Sequence, residues 1–521
     1  MLQSKELIPM TEAERLLWEE IIPGDHYLRR LAMTVDFEGF RPLLEANYAG
    51  EWGRPPLDVV VMLKLEILER HYNLSDREVM GNSYLNIAYR WFLKLSLKSP
   101  LPHHTSMTYF RTRLGATTLQ RIFDDLVAQG RRLGLVRDRL RLKDATHIIA
   151  NIAVPSTIRL VAEVRDRLLE ALQPFAAERV AQEKERADAI RQGSQDGKDE
   201  QRLLQRVTHL RAVLAWADAV PEQEAFTQHS GKTQDQLRSA LTLAHKVLAD
   251  REDDASDKLV SVHDPDARTG MHGDYYTGFL FDMSVDADSG IITAVNVLPA
   301  NGDEGADAVR LIAQEEQAHG NDVAALSIDG AGYRGDLLRE LTDPTGLNVE
   351  VFVPPTQRIA LPVFDAAQFT MSDDGARLTC PAGQSTTQWE HSRHGTGRKF
   401  RFSKKQCGGC AMRGQCLTNA EVKSRRVIKN DYEAEYAAAQ AKARTHQYAK
   451  VRREHPAVER KFAELVGRHD LRHARYRGRL RVLYQGLMTS MVVNMKRLVR
   501  LLWAPAATAT APVRAELEGL A

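Results

Sequence analysis

The stretch that most constrains this chain is Leu326-Ser-Ile-Asp-Gly-Ala-Gly-Tyr-Arg-Gly335, led into by the apolar run Val323–Ile328. A short apolar run that stops at an acidic residue followed by glycines reads as a buried strand delivering a carboxylate, Asp329, into a cleft at its C-terminal end. Taken alone, Asp-Gly is first of all a turn signal. Two further carboxylates in comparable settings change that reading. Upstream, Leu140–Ile152 is an apolar, β-branched strand with Asp144 in its middle, a costly placement unless the carboxylate is paired or binds a cation; an edge-strand Asp facing water is the alternative. Downstream, Glu459 flanks the apolar stripe Val458, Phe462, Leu465 and Val466 of a helix opened by Pro456.

With 521 residues the chain needs several domains. Lys and Arg total 71 against 69 Asp and Glu, a net charge of +2, so affinity for nucleic acid has to come from local basic patches. The N-terminus has neither a basic n-region nor an apolar core and reads as neither signal nor transit peptide. The apolar segment Val482–Trp503 carries Gln485, Asn494, Lys496, Arg497 and Arg500, which argues against a membrane span. A cytoplasmic protein without membrane association is expected. Cys380, Cys407, Cys410 and Cys416 follow the spacing C-x₂₆-C-x₂-C-x₅-C, each pair beside Gly or Pro as in a zinc ribbon. Structural Zn²⁺ is the expected reading, with free buried thiols as the alternative.

In chain order, residues 1–130 read as an all-α N-terminal domain. A helix follows Pro55-Pro56, a second starts at Ser75 or Asp76, and a third runs from Thr105 or Ser106 until Gly115 stops it. Arg111 and Arg113 on that third helix suit a helix-turn-helix reader of DNA, or the solvated face of a plain bundle. Residues 131–154 hold the Asp144 strand, and 155–258 form a long helical insertion with a turn at Gly193-Ser-Gln-Asp-Gly. Within 259–358 come a hairpin (Gly278–Val285, Ile291–Leu298), a helix, the Asp329 strand, a helix and the strand Val349–Val353. This is the element order of an RNase H-like mixed sheet with helices on both faces, in which the first and fourth strands adjoin, so that Asp144 and Asp329 can meet. A small Cys-rich insertion (359–430) precedes C-terminal helices (431–503), whose basic stretch offers Arg472, Arg475, Arg477 and Arg479 to a phosphate backbone. Residues 504–521 read as a flexible tail.

Asp144-Ala-Thr-His-Ile, Asp329-Gly-Ala-Gly-Tyr, Pro456-Ala-Val-Glu459-Arg-Lys-Phe, His473-Ala-Arg-Tyr-Arg-Gly and Asn494-Met-Lys-Arg-Leu resemble the bacterial insertion-sequence DDE transposases. His71-Tyr-Asn-Leu-Ser-Asp-Arg-Glu and Thr379-Cys-Pro-Ala-Gly narrow the resemblance to a subgroup with an InsH-type N-terminal domain and a four-cysteine insertion. The resemblance implies an enzyme that moves its own element, with Asp144, Asp329 and Glu459 as catalytic triad. Three converging carboxylates suit two Mg²⁺ ions about 3.5–4 Å apart, replaceable by Mn²⁺. The implied partners are double-stranded DNA, as element ends and target, and a second copy in a homodimer. Relatives that form DNA hairpins carry Tyr-x₂-Arg-x₃-Glu-x₆-Lys, whereas those places here hold Arg452, His455 and Val466, which puts a hairpin step in doubt. Rival readings are an inactive DNA-binding derivative and a nuclease of the same fold that never joins a 3′ end.

Overall fold

The computed structural model describes residues 7–48, 57–193, 198–252, 255–356, 363–392, 396–419 and 421–504. The expected Pro55-Pro56 signal, nearly all of the 193–197 turn and the tail beyond 504 lie outside these. The N-terminal bundle comprises α1 (Glu12–Ile21), α2 (Tyr27–Thr34), α3 (Arg41–Glu45), α4 (Val59–His71), α5 (Asp76–Leu85), α6 (Ile87–Leu93) and α7 (Thr105–Arg132). Thr11 with Glu14 and Ser75 with Glu78 close capping boxes at the starts of α1 and α5, and Asp58 accepts two N–H groups at the start of α4. α4 is buried on all sides from Val59 to Arg70, its charged Lys64, Glu66, Glu69 and Arg70 included, and forms the axis of the bundle. Gly115 does not stop α7 as expected. Its φ of +64°, open to glycine at no steric cost, kinks the chain, and the helix resumes at once to Arg132.

After β1 (Arg141–Ile149) come α8 (Thr157–Leu172), α9 (Ala177–Gly193), α10 (Asp199–Ala217), the short α11 (Glu224–Thr227) and α12 (Gly231–Glu252). These pack on one another through a core of their own, including Leu168, Leu210, Val213, Leu237 and Val247. The chain returns through β2 (Arg268–His272), β3 (Asp274–Asp286), β4 (Ile292–Pro299), α13 (Glu304–His319), β5 (Ala325–Ser327), α14 (Gly335–Thr342) and β6 (Glu350–Phe352). In the resulting mixed sheet β5 lies between β6 and β1, both parallel to it. β1 also pairs antiparallel with β3, whose other edge takes β4. β2 pairs with the part of β3 that overhangs β1; it was not expected, because Arg-Thr-Gly-Met-His lacks an apolar alternation.

Two small antiparallel sheets follow. The first joins β7 (Thr370–Met371), β8 (Leu378–Thr379) and β9 (Ser385–Thr386); the second joins β10 (Trp389–His391), β11 (Arg398–Arg401) and β12 (Arg426–Lys429). They share a core of Phe369, Leu378, Phe400, Phe402 and Val427 with α15 (Lys404–Gly408) and α16 (Arg413–Cys416) beside it. The chain ends in α17 (Glu433–Ala443), α18 (His446–Glu454), α19 (Pro456–His469) and α20 (Arg479–Leu502). Gly335 at the start of α14 lies against Tyr432, where an added Cβ would meet the tyrosine Cβ at 2.1 Å, so the glycines after Asp329 serve close packing as well as turning.

α20 is wedged between the bundle helices α2, α4 and α7 on one side and β4 on the other. Its buried polar residues do the work of backbone. Asn494, 1% exposed, accepts the Ile292 N–H (2.8 Å) and donates to the Ile292 carbonyl (2.7 Å), completing the free edge of β4. Gln485 does the same for the loop before α20, accepting from Arg475 N–H and donating to the His473 carbonyl. Among the described residues no helix is long and apolar enough to cross a membrane. Asn494→Leu would strand the Ile292 N–H and carbonyl in the core, so a loss on the order of 2–3 kcal/mol is expected. Urea denaturation of the full chain measures it, and an unchanged midpoint would contradict the edge-completing role.

Candidate active site

Alternation along β1 sorts its side chains onto two faces. Leu142 and Ile148 share one face with Phe279, Phe281, Met283 and Val285 of β3 and pack in one core with Val458, Phe462 and Leu465 of α19. Asp144, opposite Met283, belongs to this face. Arg141 and Lys143 point to the α13 face and are fully enclosed, Arg141 by Asp286 and Glu315 and Lys143 by Asp282 at 2.9 Å. The parallel register sets Arg141 against Leu326 and Leu142 against Ser327, so three residues from Arg141 and from Leu326 Asp144 and Asp329 come into one row. The turn after β5 begins at Asp329, whose carboxylate accepts the Ala331 N–H at 3.1 Å.

Asp144 is half-buried, and its pKa is pushed up to about 6, by burial first and then by the carboxylates of Asp329 and Glu304, against the Ala145 N–H and Lys143. Glu304 is the residue that sequence reading missed. It opens α13, Lys143 donates to its carbonyl at 2.6 Å, and burial with Asp329 nearby raises its own carboxyl. In the sequence it reads as an ordinary first-turn acid complementing the helix dipole, which gave no reason to single it out.

α19 runs alongside β1 in the same direction. At its start His455 is hydrogen-bonded to Ser327 (3.0 Å), and Arg452 donates to the Ile328 carbonyl (3.0 Å). Beyond its end, Ile149 N–H donates to the Arg472 carbonyl and Ala474 N–H to that of Ile149. From His455 to Glu459 the helix advances about 6 Å, and from Leu142, beside Ser327, to Asp144 the strand advances about 6.6 Å. Glu459 therefore comes level with Asp144, as an exposed residue at the edge of the buried stripe. Its near neighbours have other partners: Glu454 pairs with Arg139 (2.6 Å) and Glu464 with Lys461 (3.6 Å). Among the described residues no three His, Cys, Asp or Glu side chains form a set that could hold a metal ion as they stand. Mutual repulsion keeps unneutralised carboxylates apart. The donor set itself, carboxylate oxygens with little positive charge on their face, is of the kind that hard divalent cations take.

Residues 16–113 match a transposase domain (DUF772), and residues 379–499 match a transposase DDE domain. The two matches indicate a DNA transposase of the DDE kind. The first match spans the bundle into α7, and the second spans the cysteine region through α19 and most of α20, with Asp144 and Asp329 lying between the two. No solved structure matches the chain.

The expected DNA contacts of the transposase fare differently from one another. Arg111 is held inside by Glu66 (2.7 Å), Glu69 and Asp76 (2.6 Å), with its side chain 12% exposed, so it ties α7 to α4 and α5 instead of presenting a free cation. Arg113 is exposed and lies 4.6 Å over the Tyr48 ring. Arg475 pairs with Glu69, Arg472 donates to the His147 carbonyl and Arg479 to that of Val297, whereas Arg477 is exposed. His147 lies on the α13 face against Tyr276 and His272, and burial followed by Arg472 lowers its pKa to about 4, leaving it neutral. Cys380, Cys407, Cys410 and Cys416 line one apolar cavity, where the Arg425 N–H donates to Cys407 Sγ at 3.4 Å. As they stand, the four cysteines form no set that could hold a metal ion among the described residues.

The raised carboxyl of Asp144 has a signed consequence. Above about pH 6 the ionised side chain is less welcome in the folded state than in the unfolded one; the penalty fades as pH falls through 6 toward the ordinary value. Asp144→Asn should therefore stabilise the protein in EDTA at pH 7.5, on the order of 1–2 kcal/mol after allowance for solvent screening, with the gain vanishing near pH 4. Denaturant titrations at the two pH values check it, and a destabilised variant at pH 7.5 would contradict the assignment.

Proposed function

We propose that this transposase binds the ends of its insertion sequence and catalyses metal-dependent DNA cleavage followed by 3′-hydroxyl strand transfer. The observation that carries the reading is the row formed by Asp144 and Asp329 on one sheet face; the rise of α19 from His455, which is bonded to Ser327, supports Glu459 as the third carboxylate at that height. The strand order β4-β3-β1-β5-β6 supports an RNase H-like core built from 131–154, 259–358 and 431–503, with 155–258 and 359–430 inserted and 1–130 reading element ends. Asp144, Asp329 and Glu459 would hold two Mg²⁺ ions, or Mn²⁺ in their place. Bound there, divalent cations activate the attacking oxygen and stabilise the leaving one. Lys143, locked to Asp282 on the far face, fixes the backbone of Asp144 without neutralising its carboxylate. Water first frees a 3′-hydroxyl at the element end, and that hydroxyl then attacks target DNA in line, with no covalent enzyme intermediate. Arg113 and Arg477 are the exposed arginines assigned to phosphate contact. The active complex is a homodimer working on DNA in the cytoplasm.

A strand-transfer assay with labelled element ends tests this reading. Asp144→Ala, Asp329→Ala and Glu459→Ala should each abolish cleavage and transfer with end binding nearly intact, and Glu454→Ala and Glu464→Ala should stay active. Normal transfer by Glu459→Ala in Mg²⁺ would remove that residue from the triad. Cleavage without joining by the unaltered protein would make it a nuclease.

We further propose one structural Zn²⁺ at Cys380, Cys407, Cys410 and Cys416. The cavity they share and the N–H donor on Cys407 support it, and four thiolates would leave no open position for chemistry. Elemental analysis of protein purified without chelator should find about one zinc per chain. Its absence, with all four thiols reactive in the native protein, would end the proposal.

A further inference from the structure

The hairpin formed by β2 and β3 turns at Gly273 and overhangs the end of β1. Its two faces are unlike. On one, His272 and Tyr276 lie 5.4 and 4.8 Å from the His147 ring, and the Tyr276 hydroxyl donates to the Ala300 carbonyl (3.4 Å). This face anchors the hairpin against the sheet. On the other, the cross-strand pair Met271 and Tyr275 stands in solvent, 69% and 79% exposed. Tyr275 belongs to the same alternating series of β3 as Phe279, Phe281 and Met283, so it extends the face that bears Asp144.

The basic loop before α20 lies beside this hairpin. It is tied to the end of β1 through Ile149 and to the root of β2 through Gly478 N–H on Asp264 (3.0 Å) and Arg479 N–H on Asp266 (2.9 Å). Exposed Arg477 sits between these ties. An aromatic ring and a thioether held out from an anchored hairpin, next to a cationic loop, match nucleic acid with a base turned out of its stack: the ring takes the flat base and the arginine takes the phosphate. Eight residues separate Tyr275 from Met283, the partner of Asp144, at most about 26 Å of strand. That is less than one turn of duplex, about 34 Å.

We propose that Tyr275 and Met271 form a wedge that stacks on a base within one helical turn of the scissile phosphate and so grips the DNA beside the carboxylate row. The proposal rests on the strand-transfer reading of that row. Its test uses the full chain with Ca²⁺ and blunt 40-bp duplexes carrying 2-aminopurine stepped through the ten terminal base pairs. The unaltered protein should change the fluorescence at one or two adjacent positions. Tyr275→Ala should abolish that change and weaken binding on the order of tenfold, Met271→Ala should reduce both, and Tyr275→Trp should preserve them. Both deleted side chains face solvent, so folding is not at stake. Bound duplex with no responsive position, or Tyr275→Ala behaving as the unaltered protein, overturns the wedge. If the unaltered protein cleaves and joins element ends in Mg²⁺ while no position responds, the wedge alone falls; if it neither binds nor cleaves DNA, the strand-transfer reading falls with it.

Discussion

Two buried cations in one strand decide where everything else in the sheet must lie. Arg141 has no exposure and is enclosed by Asp286 of β3, Glu315 of α13 and Asp138 at the approach to β1, with Arg131 of α7 also on Glu315. Removing one partner of such a pair leaves a stranded charge and typically costs about 3–5 kcal/mol. Strand side chains alternate, so a slip of one residue would swing Arg141 and Lys143 into the apolar core shared by α19 and α20. The register between β1 and β5, whose residues are far apart in the chain, is thereby held by charge as much as by backbone pairing.

That register leaves Asp144 in an unusual electrostatic position. The nearest cation, Lys143, is one residue away but committed to Asp282 through the sheet, while Asp329 and Glu304 add negative charge. Burial pushes the buried partner Asp282 well up as well, against the pull of Lys143, whose ammonium faces Asp282 and not Asp144. A row of carboxylates whose positive charge is spent on the opposite face favours an external cation over an internal one, which is the electrostatic requirement of the chemistry proposed for it.

That Asp144 and Asp329 lie side by side was legible from the element order, which sets the first and fourth strands next to each other, and the strand, hairpin and helix order was legible from periodicity. What escaped the sequence depended on partners distant in the chain. Arg111 has helical spacing suited to reading DNA, and only folding shows that Glu66 and Glu69, on a helix buried all round, take up its charge; burial drives Glu66 up to about 8 even so. Glu304 looks like any acid of a first helical turn. β2 has no apolar alternation because it is an overhanging ribbon with one face in water, and Gly115 signals a break in helical geometry without revealing that α7 continues beyond it.

The same buried charges constrain how the transposase can move. Arg475 and Tyr476, in the loop that leads from α19 into α20, reach the bundle through Glu69 and the Arg111 guanidinium, and His469 at the end of α19 is hydrogen-bonded to the Arg70 carbonyl and to Lys496 of α20. α20 itself is packed against bundle and sheet at once. Rotating the bundle against the sheet would break several enclosed pairs together, each worth kilocalories, so the N-terminal helices and the carboxylate row behave as one body. The helices α8–α12 and the cysteine-bearing sheets pack around separate cores. The apolar contacts that hold those two parts together are therefore largely their own, whereas the bundle and the sheet are joined through shared buried residues.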